Sequence, residues 1–310
     1  MSKYQPAQIP TFYFIGVTTS KSSIMQVFPR WAKALNLGEV EIKGIDLPLH
    51  ADPEIYREIV LFIKNDPLSV GALVTTHKLD LFAACKDIFD YIDPFASALQ
   101  EVSSISKKDG KFCAHAKDPI SSGYALEAFV PENFWKSHNG EVLLLGAGGS
   151  ALAMSMYFTQ KKFEGNIPSK ITIANRSEPR LIDAEKKLSG LGNISFVHNP
   201  NPSENDLLVS KLPSYSLIVN ATGLGKDAPG SPTTDHVSYP ENSLVWEINY
   251  RGDLLFMRQA QNQTLQKNLH IEDGWIYFIH GWLQVIQEVF HISIDKNRLP
   301  ELSRIARNDN

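Results

Sequence analysis

The stretch "EVLLLGAGGSALAMSMYF", residues 141–158, constrains the fold more than any other part of the chain. A short apolar run meets Gly146, Ala147, Gly148, Gly149, Ser150 and Ala151, a G-x-G-x-x-A pattern, and a helix-forming segment follows. Each small residue has a reason in that context. Gly146 permits the tight turn, Gly148 lets a pyrophosphate approach the backbone, and Ala151 lets helix and strand pack closely. Gly149 adds another position without a side chain, and Ala147 and Ser150 complete the cradle. An ordinary tight strand-helix turn is the plainer reading, but the strand before and the helix after it favour dinucleotide binding.

The next strand signal, "ITIANRSEPR", bears on which dinucleotide. A site for NAD usually ends that strand in Asp or Glu, which accepts from the ribose 2′-hydroxyl. Here the strand ends in Asn175, Arg176 and Ser177. A guanidinium pairs with a 2′-phosphate that a carboxylate would repel. NADP is therefore the expected cofactor, with Glu178 close enough to keep NAD open. Arg180 is either a helper or a solvated loop arginine.

The same strand-helix alternation runs through the rest of the chain. "TFYFIGV", "EVEIKGIDLPL" and "SVGALVTT" read as strands, and "SSIMQVFPRWAKAL" and "PEIYREIVLFIKN" read as helices between them. Such alternation implies parallel strands with helical crossovers. "DLFAACKDIFDYIDPFASAL" is expected to be helical, and "KKDG" is expected to turn a hairpin between two short strands. After the polar tract "VPENFWKSHNG", the strands "KITIANRS", "NISFVHNP", "SLIVNAT" and "SLVWEINY" complete a second, doubly wound sheet. The apolar pattern "DGWIYFIHGWLQVIQEVFHISI" is too long to leave exposed, and folding back on the first domain would bury it. The expected fold class is α/β with two domains. A substrate-binding and catalytic domain spans 1–120, completed by C-terminal helices at 274–310, and a Rossmann-type doubly wound parallel sheet spans 121–273.

A chain of 310 residues, 43% hydrophobic, is long enough for two such cores. With a formal net charge of -4 and no basic stripe, nucleic acid is not an expected partner, whereas a small-molecule substrate is. No apolar run reaches the roughly 18 residues that a spanning helix needs, so no membrane partner is expected. The N-terminus lacks the pattern of a secretory signal. The two cysteines, Cys85 and Cys113, stand apart with no metal-ligand spacing, which fits free thiols in a reducing cytoplasm and no metal site.

"GALVTTHKLDLF", residues 71–82, is a strand that runs into a histidine and a lysine, which alone would read as a strand end meeting water. Other motifs change its weight. "VTTHK" (74–78), "DGKF" with "KD" (109–118), "GAGGSA" (146–151), "NRS" (175–177), "VNATGLG" (219–225) and "EINYRG" (247–252) occur in an order and spacing that resembles the shikimate dehydrogenase family across nearly the whole chain. The resemblance implies reversible NADP-dependent hydride transfer to or from a secondary alcohol on a hydroxylated cyclic carboxylic acid, of the shikimate and 3-dehydroshikimate type. It makes Lys78 and Asp118 the catalytic pair. The chemistry is sound on its own terms, because a proton must leave the alcohol oxygen as the hydride leaves carbon. His77 is a competing base, but side chains alternate along an extended segment, which favours a structural role.

The resemblance further implies substrate contacts from Ser20 and Ser22 in "TTSKSSIM", from Thr75, and from Tyr250. Nicotinamide-side contacts fall to Thr222, Gly223, Gly225 and Gly274, with a helix-capping turn as the other reading of the Thr-Gly pair. Four positions depart from the family pattern: Ser103 and Gly281 each stand where it has an amide, and Ala116-Lys117 stand in place of Asn-Thr. Lost amide contacts weaken discrimination for ring hydroxyls, so the substrate is expected to differ from shikimate. Lys117 is either a new anion contact or a solvated lysine. The rival readings are a paralogue acting on quinate or another cyclic polyol, and a noncatalytic dinucleotide-binding module. Either a monomer or a homodimer fits.

Overall fold

The computed structural model describes residues 4–159, 165–226 and 228–307. The chain divides into two compact units, 1–117 with 281–310, and 118–280. The sequence reading places the changes of unit near 120 and 273.

The first unit is built on β1 (Thr11–Gly16), β2 (Glu41–Asp46), β3 (Ser69–Val74), β4 (Tyr91–Ile92), β5 (Ser104–Lys108) and β6 (Lys111–His115), in the order β2-β1-β3-β5-β6-β4. β1 lies parallel to β2 and β3, and the β5-β6 hairpin joins β3 antiparallel. Asp109 and Gly110 both have positive φ at the hairpin tip, which the Asp-Gly pair tolerates. β1 is buried along its whole length, as a strand covered on both faces must be. The helix Pro53–Asn65 begins cleanly because the Asp52 carboxylate accepts from the Glu54 amide and Pro53 takes the first turn.

The expected long helix from Asp80 to Leu99 is instead two helices, Lys78–Cys85 and Pro94–Leu99, separated by β4. Pro94 lacks the N–H that a helix interior needs, and the Asp93 carboxylate accepts from the Ala96 amide to start a new helix. The second half of the long helix Trp275–Phe290 covers this sheet, with Trp282 edge-on to Phe14 and Phe290 edge-on to Phe12. The C-terminal helix Leu299–Arg307 is held through its Leu302 carbonyl, which accepts from the Trp31 indole.

The second unit holds β7 (Val142–Leu145), β8 (Ile171–Asn175), β9 (Ile194–His198), β10 (Leu217–Asn220), β11 (Leu244–Glu247) and β12 (His270–Glu272). The order β12-β11-β10-β7-β8-β9 is wholly parallel, a doubly wound sheet that reverses direction beside β7. β12 is absent from the sequence reading, since three residues give too little periodicity. Part of the tract expected to be polar and turn-rich folds as the short helix Phe134–His138, anchored by buried Phe134 and Trp135. No helix among the described residues is long and apolar enough to cross a membrane.

Candidate active site

In the first unit, the candidate residues collect along the carboxyl edge of the sheet. The ladder continues past the strands: the Thr75 amide donates to the Ile15 carbonyl, Val74 to Ser103, and Ser103 to His115. Lys78 is the first residue of the helix Lys78–Cys85, half-buried, directly after this edge. The connection is forced. Thr76 has φ of 62°, a region that β-branched residues avoid, and the His77 amide closes a three-residue turn onto the Thr75 carbonyl. Strain of this kind persists where surrounding structure over-determines it. His77 is buried, with its Nδ1 2.9 Å from the Tyr56 hydroxyl, as a structural histidine would be. Its Nε2 is buried without a partner among the described residues.

Other candidates are already engaged. The Ser103 hydroxyl accepts from the Lys117 amide at 2.8 Å and lies 3.4 Å from the His115 carbonyl, so it ties the hairpin to the segment that follows. Lys117 is neither solvated nor free for an anion, because its ammonium donates to Glu288 at 2.8 Å and is 12% exposed. Glu288 also faces the His115 ring at 3.3 Å, and that ring faces Asp93 on its other side. Burial pushes the Glu288 carboxyl up, but the bond from Lys117 and the charges of Lys117 and His115 outweigh it, and the net direction is down. Thr19, held by Asp46 through both its amide and its hydroxyl, anchors the loop after β1, leaving Ser20 exposed and Ser22 half-buried. Gly281 lies within the helix Trp275–Phe290, and a Cβ added there would meet no atom within 4 Å.

In the second unit, the glycine turn has the form that a dinucleotide requires. Gly146 has φ of 117°, and a Cβ would press on the Ala221 carbonyl. A Cβ at Gly148 would instead meet open space, where a phosphate has room to approach. Gly149 opens the helix Gly149–Phe158, Ala151 is fully buried against the sheet, and the Ser150 hydroxyl lies 3.4 Å from that of Tyr277. Ala147 is buried beside the turn. At the end of β8, the Asn175 amide donates to the Ser177 carbonyl, and Arg176 is exposed with no carboxylate on the strand end beside it. Ser177 is the N-cap of the next helix and makes no side-chain capping bond.

Asp118 is the first residue of the helix Asp118–Phe129 in this unit. The Thr222 hydroxyl donates to the Asn220 side chain at 2.6 Å and accepts from the Leu224 amide, so it closes its own turn. The Gly223 carbonyl accepts from the Lys226 and Ala228 amides, and Gly225 has φ of 87°. A Cβ at Gly274 would strike the Ile248 carbonyl, which gives this glycine a packing reason of its own. Tyr250 packs on Phe278 with centroids 4.5 Å apart. A separate cavity lined by Leu126, Val130, Trp135 and Phe158 lies at the other end of the helix Gly149–Phe158 from the glycine turn and holds no candidate residue.

The sequence reading missed Glu247. It is fully buried at the end of β11 and accepts from the Asn249 amide at 2.9 Å, the Asn249 side chain at 2.6 Å and the Asn220 side chain at 2.7 Å. The Asn249 side chain also reaches the Thr222 and Leu224 carbonyls, so this carboxylate organises the turn 220–225. Burial pushes its carboxyl up to about 7, against those bonds and the charge of Lys226. Its signal was a carboxylate ending an apolar strand, with asparagines at the ends of two adjacent strands.

No protein-family model matches the chain. It is 29% identical over 195 residues to a shikimate dehydrogenase (NADP(+)) of Nitrosopumilus maritimus, covering 61% of this chain and 63% of the relative. With an enzyme of the same name from Lactococcus lactis it shares 27% over 180 residues, 57% of this chain and 60% of the relative. A Bacillus cereus shikimate dehydrogenase (NADP(+)) matches at 28% over 232 residues, 73% and 75% of the two chains. The chain thus spans less than two thirds of the first two relatives.

Among solved structures, shikimate dehydrogenase from Aquifex aeolicus superposes with a TM-score of 0.71 at 18% identity, covering 98% of both chains. The Thermus thermophilus enzyme in complex with NADP(H) and shikimate gives 0.70 at 20%, covering 96% of this chain and all of that one. Quinate dehydrogenase from Corynebacterium glutamicum in complex with NAD gives 0.72 at 16%, covering 95% and 98%. At these identities the structures establish the fold alone. The chain is thus similar in sequence to the first group and shares the fold of the second.

Proposed function

We propose that the chain is an NADP-dependent oxidoreductase that reversibly interconverts a secondary alcohol and a ketone on a hydroxylated cyclic carboxylic acid. The observation that carries this reading is Lys78 at the head of a helix, fixed by the strained Thr76 turn at the carboxyl edge where Thr75 and Ser103 gather. The open Gly148 cradle and the exposed Arg176 suit a dinucleotide with a 2′-phosphate. Bound NADP would supply the acceptor and donor of the hydride.

Lys78 takes the proton from the alcohol oxygen as the carbonyl develops and returns it in the reverse direction. Asp118 orients the lysine ammonium and the hydroxyl. Ser20, Ser22, Thr75 and Tyr250 hold the rest of the ring, and Thr222, Gly223, Gly225 and Gly274 border the nicotinamide ribose. The first unit serves as the substrate domain and the second as the NADP domain. We place the protein in the cytoplasm, as a monomer or homodimer acting on a small molecule.

The test is turnover of shikimate, quinate and related polyols with NADP and with NAD. Activity with NADP is expected to fall by about 10²- to 10⁴-fold in Lys78→Ala, the range for loss of a positioned acid-base group. Lys78→Ala and Asp118→Asn variants that both keep full activity would overturn the assignment.

A further inference from the structure

The segment that leads into Asp118 is tied to the first sheet at three successive residues. The His115 carbonyl accepts from the Ser103 amide at 2.9 Å, the Ala116 amide lies 3.4 Å from the Asp93 carboxylate, and the Lys117 amide donates to the Ser103 hydroxyl at 2.8 Å. The Lys117 side chain adds a fourth tie, donating to Glu288 at 2.8 Å. Glu288 faces the His115 ring at 3.3 Å, and that ring faces Asp93 at 3.5 Å. Asp118 is the next residue in the chain, and Pro119 restricts its backbone from the other side.

Stability alone is a poor reason for this arrangement. Lys117 and Glu288 are 12% and 19% exposed, so both charges give up most of their water and both long side chains lose rotamer freedom. An apolar pair of similar volume would join the two segments as well. What a charged hydrogen bond adds is direction, because it acts within about 3 Å and close to one line. The same contacts withdraw two groups from any ligand: the Lys117 ammonium is engaged by Glu288, and Ser103 is buried.

We infer that Ser103, Lys117 and Glu288 are positioning residues, which fix the point from which Asp118 leaves the first unit and make no contact with substrate or cofactor. The inference rests on the role proposed above for Asp118. A displacement of about 1 Å at a group that orients reacting atoms costs on the order of 100-fold in rate. An ion pair between residues 171 positions apart can therefore govern kcat without touching the reaction.

The test uses the full chain with NADP and with shikimate or quinate, whichever is oxidised faster. Lys117→Met and Glu288→Gln are each expected to lower kcat about 10- to 100-fold, with KM for the alcohol changed less than about threefold. Lys117→Arg, which keeps a cation for Glu288, should recover most of the loss. Glu288→Gln preserves shape and carries the test if Lys117→Met does not fold. In an Asp118→Asn background, both substitutions should cost no further rate, since residues that act as a unit are not additive. A raised KM at unchanged kcat would make Lys117 a substrate contact, and an undiminished loss in the Asp118→Asn background would detach the pair from Asp118; either result overturns the inference. A second readout needs no turnover: hydrogen exchange at the Lys117 amide should rise about tenfold in either variant while the amides of β1 stay protected. If neither compound is oxidised but that exchange rises, the reaction falls and the tie stands. If both variants oxidise at the native kcat, the tie falls and the reaction stands.

Discussion

Gly146 and Gly281 are the same residue in two regions that use it for opposite reasons. At Gly146 the backbone has φ of 117° and a Cβ would press on the Ala221 carbonyl, so the turn itself excludes a side chain. At Gly281 the backbone is helical and the space is open, so the fold would accept a side chain. The glycine turn proposed to cradle a dinucleotide is thus built by backbone geometry, while the edge of the first sheet is built by side chains that engage one another, such as Lys117 with Glu288. Absence of a side chain is a structural demand in one region and leaves open space in the other.

The strongest test of this contrast is Gly146→Ala. It is expected to destabilise the second unit by about 3 kcal/mol, the upper end for a residue forced into a disfavoured conformation, and to abolish dinucleotide binding in a titration. An alanine tolerated here would break the comparison at its firmer end.

Glu247 extends the test to pH. Its carboxyl is raised to about 7 by burial, so folding favours the protonated form. The native chain should therefore lose stability as pH rises from the unfolded carboxyl value, near 4.5, through about 7, by as much as about 3 kcal/mol. Glu247→Gln should flatten that decline in melting temperature and loosen the turn 220–225, raising KM for NADP. A decline that persists unchanged in the variant would place its origin elsewhere.

Lys117→Met probes the side-chain region. Removing the cation leaves Glu288 half-buried without its main partner, and a loss of about 2 kcal/mol is expected at neutral pH. The sign with pH is opposite to that of Glu247. The Glu288 carboxyl is lowered in the folded state, so its contribution is present above the unfolded value and is lost as pH falls through the folded one. The variant should show a shallower acid limb in a denaturation series, and an acid limb identical to the native one would remove the pair from the stability argument. The smallest effect is a gain: Gly281→Ala should stabilise the chain by about 0.5–1 kcal/mol. A loss at Gly281 comparable to that at Gly146 would erase the distinction between the two glycines.

What was legible in the sequence follows this division. The glycine turn, the alternating strands and the Asp-Gly hairpin were readable because their causes are local, lying within a few residues of backbone. The helix expected over 80–99 broke at Asp93-Pro94, a local signal whose weight was underestimated against the apolar pattern around it. At the site, Lys78 was legible only through the ordered motifs around it, because a cation after an apolar strand by itself reads as a strand end meeting water. Ser103 and Lys117 were identified as unusual, but their engagements were not visible, since the partner of Lys117 lies 171 positions away.

The sequence by itself determined that this chain alternates strand and helix, that a glycine turn follows the first strand of its second sheet, and that a lysine follows one strand of its first. Each follows from conformational preferences that a short segment carries wherever it is placed. Only the tertiary structure decided that Lys117 is spent on Glu288 and that Glu247 is held between Asn220 and Asn249. Those outcomes depend on which distant side chains packing brings within about 3 Å, the range over which a hydrogen bond acts.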